Sequence, residues 1–202
     1  MPNQHFLPAI LQEPALYLGG AGRIPPYQVP RAYRPWLLDP GSLTQRLIRV
    51  SQGQFRVQVQ RQGHHPATVQ ERAALQLAGR AWPFLREVLL LCHGEPWVFA
   101  RTLIPCDSLR GPARALTRLG SKPLGAVLFN HPAVRRGPIA VCRVTGEGVS
   151  DRQAPSPGLW GRQSLFYLYA KPLLVSEYFL EGCPMYQQST ANAAGHQAEE
   201  TL

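Results

Sequence analysis

The sequence predicts an α+β fold: a single antiparallel sheet with helices packed on one side. Three observations predict it. The stretch Phe84 to Pro105 reads as two apolar runs, Arg86 to Cys92 and Trp97 to Ile104, joined by the polar break His93-Gly94-Glu95-Pro96, the chemistry of a hairpin turn. Both runs are apolar on both faces, which places them inside a sheet rather than at its edge. Phe55 to Arg61 alternates strictly between apolar and polar residues, the pattern of a half-buried strand. The helical signals, by contrast, are short and broken by turns, in a chain carrying 20 prolines and 18 glycines. Helices lying on a sheet, rather than a helical bundle, are what such a pattern builds.

The chain has 202 residues, 45% of them hydrophobic, which suits one domain with a real core. Its formal charge is +9, and almost all of the positive charge is arginine, the lysines being Lys122 and Lys171. The arginines are scattered singly, so a nucleic-acid arm is not expected, while attraction to small anions is. The cysteines, Cys92, Cys106, Cys142 and Cys183, form no CxxC pair and have no histidine at metal-ligand spacing; they read as reduced, mostly buried thiols, and no metal is expected. The beginning of the chain lacks a basic segment followed by an apolar one, and no apolar run approaches the length of a membrane span. A soluble, cytoplasmic protein is expected.

Residues 1–32 are rich in proline and include Gly19-Gly20-Ala21-Gly22; they read as a disordered leader. The domain proper is expected over 33–186, and a polar, disordered tail over 187–202. Asp39-Pro40-Gly41-Ser42 is a turn with Ser42 as the N-cap of a short amphipathic helix, Leu43 to Val50. Thr68 to Gly79 has weak helical character. Pro112 to Leu119 forms another amphipathic helix, ended by Gly120. Lys122-Pro123-Leu124-Gly125 reads as a turn, followed by a short apolar segment to Phe129. Strands follow at Ile139 to Val144, Ser164 to Ala170 and Leu173 to Leu180, with Lys171-Pro172 breaking the last two apart. Thr145 to Pro157 looks like an insertion. At least five strands in hairpin-like succession result.

Two residues stand out against this apolar background. Arg86 opens an apolar strand, where an unpaired charge is too costly to bury. It either pairs with Glu87, Glu95 or another carboxylate, or grips the carboxylate of a small anionic ligand, for which a planar guanidinium is suited. Glu177 sits within Leu173-Leu174-Val175-Ser176-Glu177-Tyr178-Phe179-Leu180, where a carboxylate is paired or has its pKa raised. The pair either neutralise one another or face opposite ends of one polar pocket that takes an acid at one end and a hydroxyl at the other. No Ser-His-Asp set, phosphate loop or HExxH motif is found.

Six segments in order resemble the bacterial chorismate lyase family. They are Leu85-Arg86-Glu87-Val88-Leu89-Leu90; Gly94-Glu95-Pro96-Trp97; Ala100-Arg101-Thr102 with Pro105; Lys122-Pro123-Leu124-Gly125 with Leu128-Phe129; Gly158-Leu159-Trp160-Gly161-Arg162; and Lys171-Pro172-Leu173-Leu174 with Glu177 and Phe179-Leu180. The resemblance spans roughly residues 33–186 and implies a six-stranded antiparallel sheet. It also implies conversion of chorismate to 4-hydroxybenzoate and pyruvate, the first step of ubiquinone synthesis, without cofactor or metal. A buried pocket that closes over product predicts slow release and product inhibition, and a monomer is expected. Carried onto this sequence, Arg86 takes the ring carboxylate and Glu177 the 4-hydroxyl, with or without a part in moving a proton. Backbone groups of Leu43 and Leu124 complete the site. The family often has methionine where Leu43 stands. The alternative is a non-catalytic domain of related fold that binds an aromatic acid.

Overall fold

The computed structural model describes residues 23–144 and 158–187. Ser42 caps α2, Leu43–Val50, by accepting from the Gln45 amide at 3.3 Å. It follows the short α1, Arg34–Leu37. Strand β1, Phe55–His64, leads to α3, Val69–Leu75, which opens on a reciprocal capping box between Thr68 and Glu71. Then come the long hairpin strands β2, Phe84–Cys92, and β3, Glu95–Ile104. A 3₁₀ segment, Gly111–Arg118, precedes α4, Leu124–Asn130. Strands β4, Val134–Arg136; β5, Ala140–Val144; β6, Leu159–Leu168; and β7, Lys171–Phe179 finish the described chain.

All pairings are antiparallel, in the order β1-β2-β3-β7-β6, with β4 and β5 both on the outer edge of β6. The sheet therefore has seven strands rather than six. The reason is local. β4 and β5 occupy one position across the sheet; Gly137 still donates to the Leu165 carbonyl oxygen at 2.8 Å, and Pro138 interrupts the run because it has no N–H to give to the ladder. As the two-sided apolar pattern implied, β2 is buried along its whole length in the middle of the sheet.

One face of the sheet carries Arg86, Val88, Thr102, Ala100, Val175 and Glu177 and is covered by α1, α2, α4 and the 3₁₀ segment. Helices do not keep to that side, however. α3 lies on the opposite face, where Leu75 packs with Leu85, Leu103 and Leu174. A buried polar knot holds it there: Arg101 donates to Glu71 at 2.6 Å and also pairs with Glu87, which Arg61 approaches at 2.8 Å. Three carboxylate–guanidinium contacts satisfy charges that the apolar face alone could not tolerate.

The structure moves several boundaries. Part of the expected leader is folded: Ile24 bridges to Val141, and Val29 is buried in the core beside Trp36. Residues 1–22, the 145–157 insertion and residues 188–202 of the tail lie outside the described residues. The segment Leu124–Asn130 is a helix rather than a turn followed by a short apolar segment, since Pro123 is tolerated just before the first helical residue. Residues 111–118 wind as 3₁₀. β6 begins at Leu159, five residues earlier than expected from the sequence. The reversal between β6 and β7 falls at Tyr169 and Ala170, both with positive φ (50° and 61°), and Lys171-Pro172 belongs to β7.

Gly161 shows how tightly β5, β6 and β7 are laid together. A Cβ there would come within 2.8 Å of the Tyr178 ring, 3.1 Å of the Cys142 sulfur and 3.1 Å of the Glu177 carbonyl oxygen. Gly161→Ala is expected to cost about 1–3 kcal/mol by overpacking, read as a lowered midpoint in urea unfolding. An unchanged midpoint would show that these strands yield more easily than their spacing implies.

Candidate functional site

Strand alternation decides which of Arg86's possible partners is real. Glu87, the next residue along β2, points to the opposite face and is taken by Arg101 and Arg61. Glu95 is exposed at the hairpin turn. Arg86 is only 3% exposed, yet its partners are neutral: Nη1 donates to Gln62 Oε1 at 2.8 Å, and Nη2 to the Gly120 and Lys122 carbonyl oxygens at 2.8 and 3.2 Å. Among the described residues no carboxylate pairs with it. Burial accordingly pushes its pKa down. The loop that ends the 3₁₀ segment and starts α4 supplies the carbonyls, so the same turn positions both the guanidinium and the first residue of α4.

Glu177 lies across the sheet. It faces Ala100 on β3 and Arg162 on β6. Arg162, 1% exposed, donates from Nε to Glu177 Oε2 at 2.6 Å and from Nη1 to the Trp36 and Asp39 carbonyl oxygens at 2.8 and 2.9 Å. Glu177 Oε1 accepts no hydrogen bond from the described residues. Asp39 holds this corner together. Burial pushes its carboxyl pKa up, but the Gly41 amide and the Arg46 and Arg162 guanidiniums outweigh this and hold it below the usual carboxylate range. Arg86 and Glu177 are thus not each other's partner.

Between them is a cavity of about 40 Å³. Arg86 and Glu177 both line it, with Val88 and Thr102 on its sheet side. Its cover is α2 and α4, through Leu43, Thr44, Leu124, Gly125 and Phe129. Leu43 and Leu124 are the first residues of their helices, where a backbone N–H has no acceptor inside the helix. All four residues singled out in the sequence, Arg86, Glu177, Leu43 and Leu124, therefore border one space. The two helices touch closely: a Cβ on Gly125 would stand 2.6 Å from Thr44 Oγ1.

The volume bears on how the site works. About 40 Å³ holds a few waters. A cavity of about 150 Å³ is on the scale that admits benzene. A ring carrying polar substituents needs more room than this, which a shift of the covering residues on α2 and α4 would supply.

Sequence reasoning missed Arg162, Gln62, Thr102 and the aromatic residues Phe129 and Phe166 that wall the cavity. The signal for Arg162 was present: it ends the Gly158-Leu159-Trp160-Gly161-Arg162 segment, whose last residue sits opposite Glu177 once the hairpin is placed correctly. The described residues contain no cluster of His, Cys, Asp and Glu able to hold a metal ion, and no helix long and apolar enough to cross a membrane. The cysteines are free; Cys92, Cys142 and Cys183 are buried and Cys106 is exposed. Burial pushes the Cys142 and Cys183 thiols up to about 12.

Comparison with known proteins places the chain among relatives. A protein of Azoarcus sp. strain BH72 named as a probable chorismate pyruvate-lyase is 44% identical over 169 residues, covering 77% of this chain and 87% of its own. One of the same name from Pseudomonas aeruginosa strain UCBPP-PA14 is 40% identical over 145 residues, covering 72% and 81%. Among solved structures, PhnF of Mycobacterium smegmatis superposes with a TM-score of 0.50 at 17% identity, covering 72% of this chain and 67% of its own, a likeness of fold alone. The chorismate lyase family matches residues 26–191, and the chain belongs to that family.

Proposed function

We propose that this protein is a chorismate pyruvate-lyase, converting chorismate to 4-hydroxybenzoate and pyruvate at the cavity between Arg86 and Glu177, as the first step toward ubiquinone. The observation that carries the reading is the buried Arg86 guanidinium, which has neutral partners and lines the cavity that Glu177 enters from the far side. A buried cation without a carboxylate is costly unless an anion completes it. In this reading the ring carboxylate completes it, as a charge-assisted contact. The 4-hydroxyl meets Glu177, whose carboxylate Arg162 holds in place. The N–H groups of Leu43 and Leu124 supply backbone donors from the covering helices.

The chemistry asks little beyond position. Loss of hydrogen from C4 and cleavage of the C3–O bond make the ring aromatic. The proton goes to the methylene carbon of the departing side chain, and its ether oxygen becomes the ketone of pyruvate. Holding the ring at both ends while the side chain folds over C4 removes the orientational part of the barrier. No oxidant, metal or covalent intermediate enters this balance. Turnover by protein dialysed against EDTA is expected to equal that of untreated protein; activity lost on dialysis and restored by a divalent cation would contradict cofactor independence.

The reading also makes the protein a cytoplasmic monomer that takes its substrate from solution, and one that releases product slowly because the covering helices must open again. The test is direct. Protein mixed with chorismate is expected to produce 4-hydroxybenzoate, followed by its ultraviolet absorbance, with progress curves that flatten early through product inhibition. Binding of 4-hydroxybenzoate without any turnover of chorismate would favour a non-catalytic aromatic-acid-binding domain instead.

A further inference from the structure

A second cation stands at the far end of the site, and the function proposed above does not use it. On the covered face of the sheet one row runs across four strands. Arg86 on β2 faces Thr102 on β3, Thr102 faces Val175 on β7, and Val175 faces Ser164 on β6. Three strand spacings make this row about 14 Å long. Arg86 sits at one end. At the other, Arg136 from β4 donates from Nε to Ser164 Oγ at 3.1 Å. Thr102 and Val175, between them, line the cavity.

Like Arg86, Arg136 has only neutral partners. Nη1 donates to the Pro40 and Gly41 carbonyl oxygens at 3.0 and 3.4 Å, and Nη2 makes no hydrogen bond to a described residue. Its guanidinium lies 5.2 Å from the Phe166 ring centre and 5.9 Å from that of Phe129, two rings that wall the cavity. The nearby carboxylates are committed elsewhere, Glu177 to Arg162 and Asp39 to Arg46. Burial and the Arg162 charge push the Arg136 pKa down, against the pull of Glu177 and Asp39. Counting the charges at this end, Arg46, Arg136 and Arg162 face Asp39 and Glu177, an excess of one positive charge. Arg86 gives the same excess at the other end. A ligand that neutralises both is a dianion with its acids at opposite ends.

The substrate of the proposed reaction is such a dianion and its aromatic product is not. Resting on that reading, we propose that Arg136 binds the second carboxylate of the substrate, the one on the enolpyruvyl side chain, and so distinguishes substrate from aromatic product. Phe129 belongs to α4 and lies beside both the guanidinium and the cavity, so a shift of that helix to admit a ring would also change the surroundings of Arg136. Once the C3–O bond breaks, this carboxylate leaves with pyruvate, and the contact is lost with it. 4-Hydroxybenzoate stays held by Arg86 alone among the two cations.

The test compares wild type with Arg136→Gln and Arg136→Lys in steady-state turnover of chorismate and in equilibrium binding of 4-hydroxybenzoate. For Arg136→Gln, kcat/KM for chorismate is expected to fall by about 10- to 100-fold, the scale of one lost charged hydrogen bond. Its 4-hydroxybenzoate affinity is expected to stay within about twofold, since one carboxylate on the far side is all that ligand presents. Arg136→Lys should recover part of the loss. Should Arg136→Gln fail to fold, the same comparison is made with Arg136→Lys, using 3-(carboxymethoxy)-4-hydroxybenzoate as a dianionic probe beside 4-hydroxybenzoate; selective weakening of the dianion supports the assignment. Unchanged chorismate kinetics, or parallel loss of affinity for both ligands, overturns it. Wild-type protein that does not turn over chorismate overturns the lyase reading itself and this assignment with it, an outcome visible before any variant is made.

Discussion

Arg86→Met is expected to lower kcat/KM for chorismate by between about 30-fold and 3,000-fold, the range set by losing one side of a buried charged contact at about 2–5 kcal/mol and tenfold per 1.4 kcal/mol. The same change is expected to leave the melting temperature within about 4 °C of wild type. The two halves of this expectation have one cause. In the free protein the guanidinium is withdrawn from water with no carboxylate to compensate it, and its partners are a glutamine and two backbone carbonyls. Methionine fills a similar length of cavity, so the hydrogen bonds lost are offset by the charge no longer buried. Strain of this kind belongs to a group kept for its ligand rather than for the fold. Near-normal turnover by the variant, followed as 4-hydroxybenzoate formation, would remove Arg86 from the site. A collapse in stability would make it a structural residue.

Glu177→Ala is expected to behave differently, losing both activity and stability. Arg162 would keep two carbonyl acceptors and lose the one carboxylate it bonds among the described residues, in a 1% exposed position. Breaking a buried pair from one side costs about 3–5 kcal/mol. Because the Glu177 side chain is 16% exposed, water screens part of that, and about 2–3 kcal/mol is the appropriate scale. In a chain of this size that lowers the melting temperature by roughly 5–10 °C. Glu177→Gln keeps an acceptor for Arg162 Nε and separates the roles: its stability should recover most of the loss while kcat stays depressed more than about tenfold, through poorer positioning of the ring. Calorimetry on both variants beside their kinetics checks this. Full activity in Glu177→Gln would show that the carboxylate charge is not needed.

The contrast between these two residues also shows what the sequence could disclose. Arg86 and Glu177 were visible because each is a charge in an apolar strand, and such a charge demands an explanation. That strand alternation turns Glu87 away from Arg86 was equally readable from the sequence. The partner of Glu177 was not found because the β6–β7 reversal was placed at Lys171-Pro172 instead of Tyr169-Ala170. In a hairpin, moving the turn by two residues keeps every side chain on its face but changes whom it meets. With the turn in its true place, Glu177 faces Arg162; two residues later it would have faced Phe166. A proline normally ends a strand, and here Pro172 is accommodated near the start of β7.

Other features depend on contacts distant in the chain, and no local pattern announces them. Arg136 looks like one of many scattered arginines until β4 pairs with β6 and brings it to Ser164. α3 goes to the far face because Glu71 meets Arg101 across 30 residues of sequence. The folding of Ile24 to Val29 onto the core overrode a proline-rich composition that reads as leader, since Val29 has a place beside Trp36 to bury itself. α4 was hidden by its Pro-Leu-Gly opening, where glycine is required not by a turn but by the approach of Thr44.

The central claim is that the Arg86 guanidinium, buried without a carboxylate among the described residues, is an anion site at one end of the cavity. Isothermal titration of wild-type protein with 4-hydroxybenzoate and with 4-hydroxybenzamide, which matches it in shape and lacks its charge, tests this most directly. The account expects the acid to bind at least about 100-fold more tightly than the amide, on the scale of a hydrogen-bonded charge pair out of water. Equal affinities, or no binding of the acid, would contradict it.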